Sequence, residues 1–252
     1  MASKSNDNLR TFKLKYKPFG ERSILVEWPS KIDESILNDV ISFKNTLQKS
    51  IVKEIVDIKS AYNSMLIVYH FTIDDVYGEI STLKKLYKAR VSIIKSAFKL
   101  WRIPVCYDAV YGLDLEEMSA QKKVSISDII ELHSRTIYTM YFIGFLPGFL
   151  YLGGLDNKLH IPRKSTPRLK VEKGAVAIGG NQTGVYPNVS PGGWYIIGNS
   201  PISFFDSKKE SPCFAKAGDK IEFYSISKEK YDNIKALVDA GVYQLESEVS
   251  DD

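Results

Sequence analysis

The sequence predicts an α+β unit over residues 1–97 followed by a mainly β domain over residues 98–252. Three observations carry that reading. Pairs of strand-like runs alternate with long amphipathic helices through the first part of the chain. Helix becomes scarce from "FKLWRIPVCYD" onward. Eleven of the sixteen glycines and six of the ten prolines then fall between Gly144 and Pro201, separating short apolar runs such as "VAIGG" and "WYIIG". Strand pairs followed by helices make a common small α+β arrangement, whereas short strands with frequent turn signals suggest a barrel or sandwich.

In the first unit, "FKLKYKPFGERSILVEW" reads as strands Phe12 to Lys17 and Ser23 to Trp28 around a Pro-Phe-Gly turn. Residues Asp33 to Gln48 place Ile36, Leu37, Val40, Ile41 and Phe43 or Leu47 near helical spacing, with Asp33 suited to cap the start. "IVKEIVDI" and "NSMLIVYHF" are strand-like, and a second long helix is expected from Asp74 to about Ile94. The order predicts an antiparallel sheet with both helices on one face. Beyond the boundary one clear helix remains: "SISDIIELHS" offers Ser127 as N-cap, Asp128 in the first turn and Ile129, Ile130 and Leu132 as its apolar side. The acidic end "QLESEVSDD" reads as a frayed terminus.

Composition narrows the function classes. The net charge of +4 arises from 34 basic and 30 acidic residues, and the lysines are scattered in short pairs such as Lys84-Lys85 and Lys208-Lys209. A nucleic-acid groove needs clustering, so nucleic-acid binding is not expected. Cys106 and Cys213 stand far apart with no CxxC spacing, and no second histidine stands at ligand spacing from His133, so neither a disulfide framework nor a metal site is expected. "MASKSNDNLR" has no apolar run after its lysine, and "FIGFLPGFLYLGGL" is too short and too broken by Gly and Pro to cross a bilayer. The expectation is a cytoplasmic protein.

The candidate chemistry lies in the glycine-rich half. "GGNQTGVYPNVSPGGW" has a linker's glycines, yet Val185, Tyr186 and Trp194 make sense only if something packs on them. It lacks the Lys-Ser/Thr of a P-loop and the spacing of a dinucleotide fingerprint, so it reads as one wall of a pocket. "PRKSTPR" sets Arg163 and Arg168 each directly after a proline; a planar guanidinium suits a carboxylate or phosphate, and either arginine can instead pair with a structural acid. His133, beside the apolar face of its helix, is either a hydrogen-bonded structural residue or a proton carrier. Phe145 and Tyr151 are candidates to floor the pocket, with Gln182 and Tyr186 offering hydrogen-bonding tips.

The succession "LHS", "GFLPGFLYLGGLD", "PRKSTPR", "GAVAIGGNQTGVYP", "SPGGWYIIGNSP" and "AGDKIEF" resembles the family containing the B subunit of 5-oxoprolinase (PxpB) and the sporulation kinase inhibitor KipI, also called allophanate hydrolase subunit 1. The resemblance spans roughly residues 12 to 227. It implies a small α/β domain followed by a cyclophilin-like β-barrel. It also implies a chain that is inactive alone and works with two partners, a paralogous barrel protein (the C component) and an A component, in the ATP-dependent opening of 5-oxoproline to L-glutamate. Carried onto matching positions, it implies His133 and Arg168 as catalytic residues and Arg163, Gln182, Tyr186, Trp194 and Phe145 as substrate-binding ones. ATP would be the co-substrate of the complex. The rival reading from the same family is an inhibitor that docks on a histidine kinase; a third is one part of an enzyme for allophanate or another urea-like amide. The run "CYDAVYGLDLEEM", with Asp108 and Leu113, and the leucines of "GFLPGFLYL" depart from the family's smaller residues and leave the substrate open.

Overall fold

The computed structural model describes residues 11–51, 54–90 and 98–250. Contacts divide the chain into two compact units, residues 1–96 and 97–252. The N-terminal "MASKSNDNLR" and the last predicted turn of the second helix lie outside the described residues.

Unit one is a four-stranded antiparallel sheet in the order β1-β2-β4-β3, formed by β1 (Lys15–Pro18), β2 (Ser23–Glu27), β3 (Ile55–Ser60) and β4 (Ser64–Tyr69). Alternation sets its inner face: Ile24 and Val26 of β2 and Met65, Ile67 and Tyr69 of β4 are buried. Onto that core pack α1 (Glu34–Ser50), through Ile36, Val40, Phe43 and Leu47, and α2 (Val76–Ala89), through Leu83 and Tyr87. Asp33 caps α1 by accepting the Ser35 N–H, as its position predicts. Within this core Asp39 is a charged hub. Its carboxylate accepts the Trp28 indole N–H at 2.7 Å, the Tyr87 hydroxyl at 2.6 Å and the Arg90 guanidinium at 2.6 Å.

Unit two is built on an eight-stranded sheet whose order is β12-β9-β10-β7-β6-β13-β5-β14. Its strands are β5 (Phe98–Val105), β6 (Ile137–Ile143), β7 (Leu150–Gly153), β9 (Ala175–Gly179), β10 (Gln182–Val185), β12 (Tyr195–Asn199), β13 (Lys220–Ser225) and β14 (Ser247–Ser250). A separate ribbon pairs β8 (Arg168–Val171) with β11 (Ser190–Gly192). No closed ladder forms among the described residues. The sheet meets itself at one isolated bridge, where Cys106 after β5 and Asn199 of β12 exchange two 2.9 Å hydrogen bonds.

Three features of unit two differ from the sequence expectation. Two unforeseen helices are present, α3 (Leu115–Lys122) and α5 (Lys228–Asp239); both are rich in charge and bury only two residues each. The predicted helix, α4 (Ile126–Ser134), is capped by Ser125 rather than Ser127, because the Ser125 hydroxyl accepts the Asp128 N–H. Within the acidic end, expected to fray, residues 247–250 form β14, which pairs antiparallel with β5 from Ser247 opposite Trp101 to Ser250 opposite Phe98. That pairing is made by backbone groups, which composition does not reveal.

Candidate functional site

All five residues of β9 are buried, and they sort by period two. Val176 and Ile178 enter the main core, whereas Ala175, Ala177 and Gly179 present small groups to the opposite face. On that flat face lies a second apolar cluster with Phe149, Tyr186 and Trp194. A side chain on Gly179 would bring its Cβ to 2.6 Å from the Trp194 ring, so the glycine is required for the indole to lie against the strand. Phe149 meets Tyr186 and Trp194 edge-on, with centroids 5.4 and 5.6 Å apart.

Above this floor opens a cleft of about 270 Å³, lined by Phe145, Tyr151, Arg163, Lys164, Tyr186 and Trp194 together with Phe149, two prolines and two glycines. The Arg163 guanidinium sits over the Trp194 ring, 5.5 Å from its centroid, and among the described residues it has no carboxylate partner. Burial raises the Tyr186 phenol above its usual range, outweighing the Trp194 backbone N–H and the Arg163 charge that act to lower it. Tyr151 is raised likewise by burial, again against Arg163. Both are therefore neutral hydroxyls at neutral pH. Phe145 forms the rim: it is 63% exposed and adopts a left-handed backbone, φ 61°, which is uncommon for a bulky residue.

The second arginine of the motif is differently placed. Arg168 donates to both oxygens of Asp114, at 2.6 and 2.8 Å, and does not line the cleft. Burial acts to raise the Asp114 carboxyl, but the hydrogen bonds from Arg168, the Ile196 N–H and Lys164 hold it below its usual range. Lys164, between the two arginines, reaches Asp114 at 3.0 Å and also pairs with Glu117. Sequence reasoning missed Asp114 and Lys164, since the acid stands 54 residues before the arginine it binds.

His133 lies apart from the cleft, fully buried in the main core. Its Nδ1 is 2.7 Å from the Tyr107 hydroxyl and its Nε2 2.9 Å from Thr183 Oγ1. The Thr183 hydroxyl donates to the Ala177 carbonyl at 3.0 Å, so it accepts from Nε2–H, and Nδ1 accepts from Tyr107. Burial pushes this imidazole down to about 3, which keeps it neutral. Gln182 lies at the start of β10 and does not line the cleft; its Oε1 is buried and finds no hydrogen-bond partner among the described residues. Of the eight residues singled out from the sequence, the structure thus gathers Arg163, Tyr186, Trp194, Phe145 and Tyr151 around one cleft and sets Arg168, His133 and Gln182 elsewhere.

Among the described residues no group of His, Cys, Asp and Glu is arranged to hold a metal ion, and no helix is long and apolar enough to cross a membrane. The glycine loop "GGNQTG" is the turn between β9 and β10. Its Gly180 N–H donates to the Ile161 carbonyl at 2.7 Å, which ties the turn to the segment just before "PRKSTPR".

The family model for the carboxyltransferase domain, subdomain C and D, matches residues 14–215. The 5-oxoprolinase B subunit of Haemophilus influenzae is 34% identical over 206 residues, covering 82% of this chain and 95% of that protein. The 5-oxoprolinase B subunit of Bacillus subtilis is 29% identical over 231 residues, covering 88% of this chain and 96% of that protein. Among solved structures, Kluyveromyces lactis urea carboxylase is similar with a TM-score of 0.82 over 97% of this chain and 24% of that one. At 19% identity that likeness is one of fold.

Proposed function

The chain belongs to the family of the carboxyltransferase domain, subdomain C and D, and from that premise we propose that it is the B subunit of a multi-subunit, ATP-dependent 5-oxoprolinase. The single observation that carries the reading is the cleft. It combines flat aromatic walls, neutral phenols and one guanidinium without a carboxylate partner, which together suit a small cyclic amide bearing one carboxylate.

In this reading Arg163 takes the carboxylate, the exposed edges of Trp194 and Tyr186 orient the ring, and Phe145 closes over it. A lactam is a poor electrophile, so its oxygen must be activated; phosphorylation with ATP as donor, followed by water attack and C–N cleavage, yields glutamate, ADP and phosphate. The cleft lies just below the roughly 300–1,000 Å³ of pockets that bury drug-sized ligands, and its single guanidinium suits one carboxylate better than a triphosphate. We therefore assign ATP to the complex as co-substrate. Arg168 and His133 act through the scaffold: Arg168 by fixing the loop that carries Arg163, His133 by fixing Thr183 of β10 beneath the floor. The two units correspond in this proposal to a small α/β domain, 1–97, and a barrel of the cyclophilin-like type, 98–252, in a cytoplasmic protein.

The rim supports dependence on partners. Leu169 on β8 is 90% exposed and Val189 before β11 is exposed as well, both on segments that frame the cleft. We assign this surface to the A and C components of the complex. A kinase-docking inhibitor would use the same exposed residues, so the two readings part on activity. The test is co-purification with candidate A and C components followed by assay of ATP-dependent glutamate release from 5-oxoproline. Release that requires this chain supports the proposal. Absence of release, with this chain alone blocking histidine-kinase autophosphorylation, sinks it.

A further inference from the structure

The loop "PRKSTPR" brings three cations to one place, yet the cleft receives the unpaired charge of only one. The reason is α3 and the residue before it. Asp114 is 1% exposed and is locked to β12 at both ends of Ile196: its own N–H donates to the Ile196 carbonyl at 2.9 Å, and its Oδ2 accepts the Ile196 N–H at 2.7 Å. So anchored, its two oxygens bind Arg168 and Lys164, and Glu117, one turn along, takes the remaining charge of Lys164. Lys122 at the end of the same helix donates to the His160 carbonyl at 2.7 Å, and the Lys164 N–H donates to the Gly193 carbonyl at 2.8 Å. Two carboxylates thus neutralise two cations, and Arg163 is left over Trp194.

We propose that Asp114 is a specificity-determining positioning residue: it neutralises Lys164 and Arg168 so that the site presents a single unpaired positive charge and selects monoanionic over dianionic acids. The inference rests on the cleft being the acid-binding site of the proposed function. Lys164 still lines that cleft, so losing the Asp114 charge adds one net positive charge within reach of a bound acid. A dianion then gains twice the Coulomb energy that a monoanion gains.

The test measures affinities of the whole chain for two acids of equal length, butyrate and succinate, with 5-oxoproline titrated separately. A 5-fluorotryptophan label reports the cleft, its Trp194 resonance assigned with Trp194→Phe. Wild type is expected to prefer butyrate. Asp114→Asn should shift the butyrate-to-succinate ratio about fivefold toward succinate, the size a charge at this distance gives in a partly aqueous site. Asp114→Asn combined with Lys164→Gln restores the net charge and should return the ratio to within about twofold of wild type. Equal weakening of both acids, or no return in the double variant, would show a merely structural role and overturn the proposal. If Asp114→Asn fails to fold by its melting curve, Glu117→Gln replaces it and must shift the ratio in the same direction by a smaller factor; an unchanged ratio overturns the proposal equally. Failure of 5-oxoproline alone to bind would instead count against the lactam substrate and leave the charge selection to be decided by the two-acid ratio.

Discussion

Gly179 lies so close beneath Trp194 that its missing side chain is part of the binding surface: a Cβ there would stand 2.6 Å from the indole ring. Gly179→Ala should therefore destabilise unit two by about 1–3 kcal/mol, the usual cost of overpacking. It should also displace the indole that carries Arg163. Denaturant unfolding read by Trp194 fluorescence, against a chain in which Trp28 and Trp101 are replaced by Phe, checks both effects.

Phe145 should separate stability from binding. An L-residue in the left-handed region costs about 1–2 kcal/mol, and the exposed ring returns only edge contacts with Phe149 and Tyr186. Phe145→Gly is expected to leave the melting temperature unchanged or raised while weakening ligand binding. A fall in stability as large as that of a core truncation would show that the ring is structural.

His133 sets an acid limit on unit two. Its folded value, about 3, lies below the unfolded 6.5, so its contribution to stability is complete above pH 6.5 and is lost as pH falls toward 3. The loss amounts to several kcal/mol, at roughly 1.4 kcal/mol for each tenfold change in proton affinity. His133→Gln should lower stability at pH 7 and flatten its decline between pH 6.5 and 3, as denaturant unfolding across that range would record. Because His133 lies outside the cleft, the pH profile of the complex between 5 and 8 should not report its titration.

Asp39 should be the most costly single polar residue of unit one. Asp39→Ala removes the one carboxylate that binds Arg90, the Trp28 indole and the Tyr87 hydroxyl together in the core, a change expected to cost about 3–5 kcal/mol. Scanning calorimetry of the full chain should show the transition of unit one moving down.

The legible parts of the fold were those written in local pattern. The apolar spacing of α1, its Asp33 cap and the strands β2 and β4 are decided within a few residues, and they stand where the sequence predicts them. The aromatics and glycines of residues 179–194 likewise announced a packed wall, and Trp194 over Gly179 is its physical form. Three kinds of information were not local. Helix α3 buries only Leu115 and Met118 and owes its position to Asp114 gripping β12 and the 160s loop. Strand β14 exists by backbone pairing with β5, which its polar side chains do not signal. The two arginines of "PRKSTPR" were equivalent in sequence and opposite in structure, because the carboxylate that claims Arg168 lies 54 residues away.

The central claim, that this cleft holds the carboxylate of a lactam for a 5-oxoprolinase, is tested most directly by the kinetics of Arg163→Gln in the assembled complex. Loss of a charge-assisted contact is worth about 1.5–3 kcal/mol, so the KM for 5-oxoproline should rise by about one to two orders of magnitude with kcat little changed. An unchanged KM in an otherwise active complex would contradict the account and place the substrate elsewhere.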